Sequence, residues 1–332
     1  MGSSGIRAGA SNSDKTTKAE LDTLGALWAG KPPGELVGPT VTVLDELLQR
    51  GAFNRECAML GGGMSAWRLA LSHDPAALVT ALARIRAYSG VAVLVIPPVQ
   101  EGAYGHLAAR QALGGRLHTS HVLDIGGGSL QIAGERSTFA TALGQKAWHR
   151  ALCQALRKTD AVPCALQPLN DDELAQARAL LAHKLDGIAT ALPGTTAMTA
   201  ISRPVSRGVL PAVRRVVGYT ADNLNLLQPT DISATIAHVA PLTLAATTTQ
   251  TGNPAPHVSY LLSDLLLVEG LMRLTGNADL IVAEADLTNL PGLLADERAF
   301  AWQKQHDCYL HRLREKGTDA YANDPATCPS TR

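Results

Sequence analysis

Apolar residues recur along this chain with two different periods, which indicates a mixture of helices and strands. Spacings of three and four residues predict amphipathic helices over 39–50, 75–89 and 171–190. The uninterrupted run VAVLVIPP at 91–98 is instead typical of a strand that is buried on both faces of a sheet, and two prolines end it. Residues 258–275 are strongly apolar and predict a helix that forms either a domain core or a subunit interface. The pattern therefore predicts an α/β protein.

The stretch 122–134, VLDIGGGSLQIAG, joins two short apolar strands through three consecutive glycines. Glycines allow backbone conformations that are closed to residues with a Cβ, so the N–H groups of a tight turn can point at one anion. Asp124 stands at the end of the first strand, where a carboxylate can hold a metal ion directly or through water. We expect a site for phosphate and a divalent cation here, although a plain glycine-rich hairpin is the simpler interpretation.

The sequence LDIGGGSLQIAG resembles the DIGGGSTEL signature of the exopolyphosphatase/guanosine pentaphosphatase (Ppx/GppA) family. The resemblance covers roughly residues 35–295 and is strongest at 58–70, 91–108 and 122–144, which occur in the family's order. It implies two ribonuclease-H-like α/β domains of the actin, sugar-kinase and heat-shock ATPase superfamily, with a cleft between them. A sugar kinase is disfavoured because no complete adenosine loop is visible.

The phosphate-binding residues that the resemblance implies come from two segments. Around Arg68, the sequence is similar to the family's ATSAxRxA segment, with Met64 in place of its threonine. Arg68 would neutralise phosphate charge, unless it is an ordinary solvated helix arginine. The complete implied phosphate-binding set is Ser65, Arg68, Gly126, Gly127, Gly128 and Ser129.

The implied catalytic residues are Glu101 and Asp124. Gln100 and Glu101 stand where the family's ISxxEEAxLIY segment has two glutamates, so Glu101 would act as a general base or orient the attacking water. The alternative is an acidic residue in a first helical turn, where the helix dipole favours it. Asp124 would hold Mg²⁺, the implied cofactor, through water.

Two functions fit these residues. The first is metal-assisted hydrolysis of a terminal phosphoanhydride in inorganic polyphosphate or guanosine pentaphosphate. The second is a catalytically degenerate relative that binds a ligand or serves as a subunit of an assembly, because Gln131 replaces an expected glutamate and a glycine-rich loop expected near 197–208 is absent. A change from carboxylate to amide removes a charge from a metal site, while the backbone cradle can survive it.

Composition indicates which classes of partner and which cellular location to expect. Lys plus Arg equals Asp plus Glu, 29 against 29, so no global positive field attracts nucleic acid. No run of about 18 apolar residues is present, which excludes a membrane-spanning helix. The five cysteines are odd in number and lack CxxC spacing, so we expect reduced thiols rather than a disulfide framework or a zinc knuckle. A cytosolic location follows as the default, and a homodimer or a larger assembly stays open.

The expected domain organisation has four parts. Residues 19–118 form the first α/β domain and 119–315 the second, between flexible tails at 1–18 and 316–332. The motif IRAGASNS at 6–13 partly matches a family phosphate loop but lacks its aspartate, so it is either that loop or a polar tail. A tail of this composition is also compatible with the remnant of a targeting peptide, which leaves a mitochondrial location as an option.

Overall fold

Both helices and strands occur along residues 1–192, 197–218, 225–283 and 287–329, the part of the chain that the computed structural model describes. The strands are β1 (Gly5–Ala10), β2 (Ser13–Glu20), β3 (Leu60–Gly63), β4 (Ala92–Val95), β5 (His121–Ile125), β6 (Leu130–Gly134), β7 (Thr138–Thr141), β8 (Ala197–Ala200), β9 (Leu226–Leu227) and β10 (Asp279–Val282).

The α-helices are α1 (Thr23–Trp28), α2 (Val37–Gly51), α3 (Ser65–His73), α4 (Pro75–Ser89), α5 (Pro98–Leu113), α6 (Gln145–Leu152), α7 (Asp171–Lys184), α8 (Ile188–Ala191), α9 (Leu210–Val213), α10 (Pro229–Val239), α11 (Leu244–Thr251), α12 (Ala255–Leu274), α13 (Leu290–Leu294), α14 (Glu297–Lys304) and α15 (His306–Lys316). Segments of π-helix span Cys153–Arg157, Pro204–Val209 and Arg214–Gly218. Turns of 3₁₀-helix span Pro33–Leu36, Gly114–Arg116, Gly317–Ala322 and Pro325–Thr327. The helices predicted from apolar spacing are confirmed as α2, α4 and α7 with α8, since burial of one face follows that spacing. The strongly apolar helix is confirmed as α12, which is buried nearly all round.

The chain divides into two units, and the predicted boundaries between them are wrong. Unit 1 combines Met1–Tyr104 with Asn289–Arg332, and unit 2 is Gly105–Thr288. The last helices belong to unit 1 because Trp302 and Tyr309 are fully buried in its apolar core. A domain made of two separate stretches has no signature in local composition.

Unit 2 contains a six-stranded sheet with the order β7-β6-β5-β8-β10-β9. Strands β5, β8 and β10 are parallel to one another, whereas β6 is antiparallel to both of its neighbours. This is the strand order of a ribonuclease-H-like domain, as expected. The carboxyl ends of β5, β8 and β10 consequently meet at one edge of the sheet, where ligands of open α/β sheets commonly bind.

The strands of unit 1 form two pairs, the antiparallel hairpin β1–β2 and the parallel pair β3–β4. Side chains from α15 satisfy the backbone along the other edge of β4. Tyr309 Oη accepts the Val95 N–H at 2.8 Å and donates to the Val95 carbonyl at 3.1 Å, and His306 Nε2 lies 3.1 Å from the Val93 carbonyl oxygen. These groups occupy the edge of β4 to which another strand would pair.

Neither terminus is a flexible tail as predicted. Residues 1–18 contain most of the β1–β2 hairpin, in which Ile6 is buried and Thr17 Oγ1 donates to the Leu47 carbonyl of α2 at 3.2 Å. At the other end, Tyr321 is buried and its backbone carbonyl accepts the Trp302 indole N–H at 3.2 Å. The polar composition of both segments did not indicate their ordered structure, because a few buried apolar side chains and backbone pairing are enough to order them. Residues 330–332 lie outside the described residues.

Four of the cysteines form disulfides, so the expectation of reduced thiols is wrong. The pairs are Cys153–Cys164 and Cys308–Cys328, while Cys57 is a free, exposed thiol. The partners lie 11 and 20 residues apart, and only chain reversals outside any short motif bring them together. Within the described residues, none of the helices has the length and hydropathy needed to span a membrane.

Candidate functional site

The glycine turn of unit 2 links β5 to β6, as the sequence predicts. Asp124 pairs in register with Gln131, and beyond Ile125 the Gly126 N–H donates to the Ser129 carbonyl at 2.9 Å. Asp124 is half-buried at the carboxyl end of β5. The turn is thus a closed hairpin loop with a carboxylate at its base.

Helix α6 holds this turn in place. The Gly126 carbonyl accepts the Gln145 N–H at 2.9 Å, and the Gly127 carbonyl accepts the Lys146 N–H at 2.8 Å. The first N–H groups of a helix have no partner within the helix, and here the turn provides their acceptors. Gly144 lies against the turn so closely that a Cβ at this position would be 2.5 Å from the Ser129 nitrogen. Helix α6 therefore fixes the turn but does not offer these N–H groups to an anion.

The turn retains backbone donors of its own. Among the hydrogen bonds of the described residues, none uses the N–H of Gly127 or Gly128. Ser129 and Gln131 are both about 2% exposed, and the Gln131 Nε2 donates to Ser129 Oγ at 3.0 Å. The Gln131 amide, which replaces the expected glutamate, therefore donates a hydrogen bond to the hydroxyl of Ser129, a residue that was predicted to bind phosphate.

Asp264 is a buried acid beside this turn that the sequence reasoning missed. It lies on α12, is 2% exposed, and its Oδ2 accepts the Gln145 Nε2 at 2.6 Å, while Oδ1 has no hydrogen-bond partner. Burial raises the pKa of the Asp264 carboxyl well above its usual value, and the Gln145 hydrogen bond lowers it only in part. An aspartate inside the apolar run YLLSDLLL was the available signal, because acids are almost never fully buried without a partner.

Two polar residues stand near the carboxyl ends of the neighbouring parallel strands β5 and β8. The Ile201 N–H donates to the Leu123 carbonyl at 3.0 Å, which places Ser202, two residues beyond β8, near the end of β5. Ser202 is buried and its Oγ has no partner, while Asp124 belongs to the neighbouring strand. A carboxylate with a hydroxyl fits Mg²⁺, which takes hard oxygen ligands and usually only one or two protein carboxylates. Residues 284–286, which follow β10, lie outside the described residues.

Two of the predicted residues in unit 1, Arg68 and Glu101, form an ion pair. Arg68 on α3 lies 2.7 Å from the Glu101 carboxylate on α5, and its Nη1 donates to the Ile96 carbonyl at 2.8 Å. Their side chains are only 12% and 8% exposed. Arg68 is thus not a solvated helix arginine. Glu101 does lie in the first turn of α5, but it is buried and paired with Arg68. The two charges that were given separate roles neutralise each other in this structure.

Ser65 begins α3, and its Oγ lies 2.6 Å from Ser3 Oγ. The three glycines before it, Gly61–Gly63, lie within strand β3. A Cβ on Gly63 would be 2.8 Å from the Trp67 ring, so this glycine makes room for a buried indole.

The structure distributes the predicted residues over both units. Asp124, Gly126, Gly127, Gly128 and Ser129 come together in unit 2, and Ser65, Arg68 and Glu101 in unit 1.

The comparisons with known proteins agree on the fold. The structure is similar to the crystal structure of the type II variant of the Aquifex aeolicus Ppx/GppA phosphatase, with a TM-score of 0.63 and 18% identity over 89% of this chain and 96% of that one. The structure of an exopolyphosphatase from Cytophaga hutchinsonii is similar with a TM-score of 0.62 and 16% identity, over 89% of this chain and 94% of that one. The structure of an exopolyphosphatase-like protein has a TM-score of 0.64 and 14% identity, over 89% of this chain and 96% of that one. No protein-family model and no curated protein matches the chain. At these identities the likeness shows a shared two-domain fold.

Proposed function

We propose that this chain, which has the two-domain fold of the Ppx/GppA phosphatases, hydrolyses a terminal phosphoanhydride. The observation that carries the proposal is the glycine turn of unit 2, which α6 holds rigidly beside Asp124 at the carboxyl ends of parallel strands. The substrate class is inorganic polyphosphate or guanosine pentaphosphate, in line with the exopolyphosphatase and Ppx/GppA names of the similar structures.

The turn would bind the terminal phosphate. The N–H groups of Gly127 and Gly128 are donors that the described hydrogen bonds leave available, and successive backbone N–H groups in a turn form anion-binding concavities. Asp124 would hold Mg²⁺, and Ser202 lies near the end of the neighbouring strand. When bound, that ion would supply positive charge against the phosphate oxygens.

Glu101 would orient the attacking water. Its carboxylate is fixed in one orientation by Arg68, which is itself anchored on the Ile96 carbonyl. The leaving group of a phosphoanhydride is already activated, so positioning and charge neutralisation supply most of the catalysis in phosphoryl transfer. Arg68 is accordingly a positioning residue for Glu101 in addition to a predicted phosphate contact.

A second candidate function is phosphate-chain binding without turnover. It is favoured by the pairing of Arg68 with Glu101 and of Gln131 with Ser129, since each pair uses groups that an active site would direct at substrate. In this alternative the glycine turn still binds the anion.

Phosphate release separates the two functions. Purified protein with Mg²⁺ and polyphosphate or guanosine pentaphosphate should release phosphate, and Glu101→Gln should lower the rate by about 10²–10⁴-fold, the usual contribution of a general base. Asp124→Ala should abolish release. Glu135→Gln, which changes an exposed carboxylate bound to Arg110, is the matched control and should leave the rate unchanged.

Absence of release from a folded protein that still binds polyphosphate would exclude the hydrolase and support the binding function. Gln131→Glu then tests the cause, because a gain of activity would locate the defect at this position.

Oligomeric state and cellular location stay predictions. The two disulfides weigh against the cytosolic expectation, because such cross-links persist mainly in oxidising compartments.

A further inference from the structure

His149, Cys153 and Cys164 form a compact cluster in unit 2 that the proposed function does not use. One ligand atom from each residue lies within 4.8 Å of the others, and within the described ranges no other set of three histidine, cysteine or acidic side chains is grouped so closely. His149 and Cys153 are buried, whereas Cys164 is half-buried and gives solvent a route to the cluster.

The hydrogen bonds around His149 assign the tautomer of its ring. Ser263 Oγ donates its hydrogen to the Tyr260 carbonyl at 2.7 Å, so it must accept from His149 Nδ1–H, 3.0 Å away. Nε2 therefore carries a lone pair, which accepts the Cys164 N–H at 3.2 Å. Nε2 thus faces the cysteine pair, and the hydrogen bond from Nδ1–H to Ser263 fixes the orientation of the ring.

We propose that reduction of Cys153–Cys164 creates a binding site for one Zn²⁺-class cation, with His149 Nε2 and the two sulfurs as ligands. A dithiol delivers two electrons and two protons to the disulfide and becomes a disulfide itself. A phosphine delivers the two electrons, and one water supplies both protons to the sulfurs and its oxygen to the resulting phosphine oxide. Either reaction yields two thiols. The cation then displaces the two thiol protons to solvent and binds two thiolates and the Nε2 lone pair of the neutral imidazole, which gives up its hydrogen bond from the Cys164 N–H. Water completes the coordination on the side where Cys164 is exposed.

The donor set and its spacing suit this cation. Zn²⁺ prefers cysteine and histidine ligands at about 2.3 and 2.0–2.1 Å, which separates tetrahedral ligand atoms by roughly 3.5–3.8 Å. Cluster atoms that already lie within 4.8 Å of one another need little movement once the sulfurs part. A hydrogen bond from the other ring nitrogen to Ser263 is the outer support that metal-binding histidines commonly have.

The test uses the full chain with Cys57→Ser, which removes the exposed free thiol. After phosphine reduction and removal of the reductant, titration with Co²⁺ should produce thiolate-to-metal charge-transfer absorption that saturates at one ion per chain. Zn²⁺ should displace the Co²⁺. The oxidised protein should show neither signal.

Variants identify the ligands. His149→Gln should weaken Co²⁺ binding by more than 10-fold and Ser263→Ala by about 10–100-fold, the effect typical of an outer-shell partner. Cys308→Ser with Cys328→Ser removes the other cysteine pair and should leave binding intact. Equal binding by the reduced protein and by Cys153→Ser with Cys164→Ser, or no effect of His149→Gln, would overturn the proposal. Circular dichroism of each variant separates loss of the site from loss of the fold.

Discussion

Asp264 is an ionisable side chain whose position is explained by neither apolar packing nor an ion pair. It lies within the apolar helix α12, with one carboxyl oxygen bound to Gln145 and the other unpartnered. Because burial raises the pKa of this carboxyl, the folded protein retains a proton that the unfolded chain loses above about pH 3.9. The stability that this proton provides is fully present below that pH and is lost as the pH rises towards the folded pKa.

We predict that Asp264→Asn becomes progressively more stable relative to the wild type as the pH rises above about 4 towards the folded pKa of Asp264. The asparagine carbonyl can still accept the Gln145 hydrogen bond, but it has no proton to lose. Urea unfolding at several pH values measures the difference. Asp186→Asn, at an exposed position, is the control and should show no such trend. A difference that is constant with pH would mean that Asp264 is charged in the folded protein.

The pairing of Arg68 with Glu101 is the second residue-scale result. Their sequence positions predict that both belong to one site, and the ion pair at 2.7 Å brings them together. What the sequence could not predict is that each is the other's partner. Two residues 33 positions apart become neighbours only because α3 and α5 follow the adjacent strands β3 and β4.

At the scale of elements, the arrangement of β5, the glycine turn and α6 forms the proposed phosphate-binding site. The turn carbonyls serve as the acceptors for the first N–H groups of α6, so hydrogen bonds connect the helix directly to the loop that follows β5. Gly144 permits this close approach. Its φ of −86° is accessible to any residue, so only the missing side chain matters.

Gly144→Ala should therefore test the steric role of this glycine alone, because alanine can adopt the same backbone conformation and differs only by its Cβ. Its Cβ would collide with the Gly126 carbonyl and the Ser129 nitrogen, so the turn must shift away from α6. We expect a loss of about 1–3 kcal/mol in the free energy of unfolding, the usual cost of overpacking. We also expect weaker phosphate binding, measured by calorimetry with polyphosphate. Gly34→Ala, where nothing lies within 4 Å of the added Cβ, should lack the steric loss and bind normally. Normal binding by Gly144→Ala would show that the turn geometry does not matter for the ligand.

At the scale of the whole molecule, unit 1 is assembled from both ends of the chain. Residues 289–332 supply Trp302 and Tyr309 to its core, and Tyr309 also satisfies both backbone groups of Val95. The Cys308–Cys328 disulfide then ties α15 to the last described turn. Unit 1 therefore depends on a segment that is remote in sequence, whereas unit 2 is continuous.

Deletion of residues 289–332 should unfold unit 1 and spare unit 2. Removal of one buried tryptophan alone costs about 3–5 kcal/mol, and this deletion removes a whole side of the core. Hydrogen exchange measured by mass spectrometry should show fast exchange in peptides from 1–104 and unchanged protection in 121–134 and 255–274. Protection that persists in 1–104 would contradict the assignment of the C-terminal helices to this unit.

Sequence alone determined the features that depend on neighbouring residues. The period of apolar positions set α2, α4 and α7, a strongly apolar run set α12, and three glycines between alternating strands set the β5–β6 turn with Asp124 at its base. Tertiary structure alone decided which distant groups meet: Arg68 with Glu101, Asp264 with Gln145, and the cysteines in pairs. The reason is physical. Helical period and glycine conformation are local properties of the backbone, whereas burial and pairing of polar groups depend on where the chain returns after many residues.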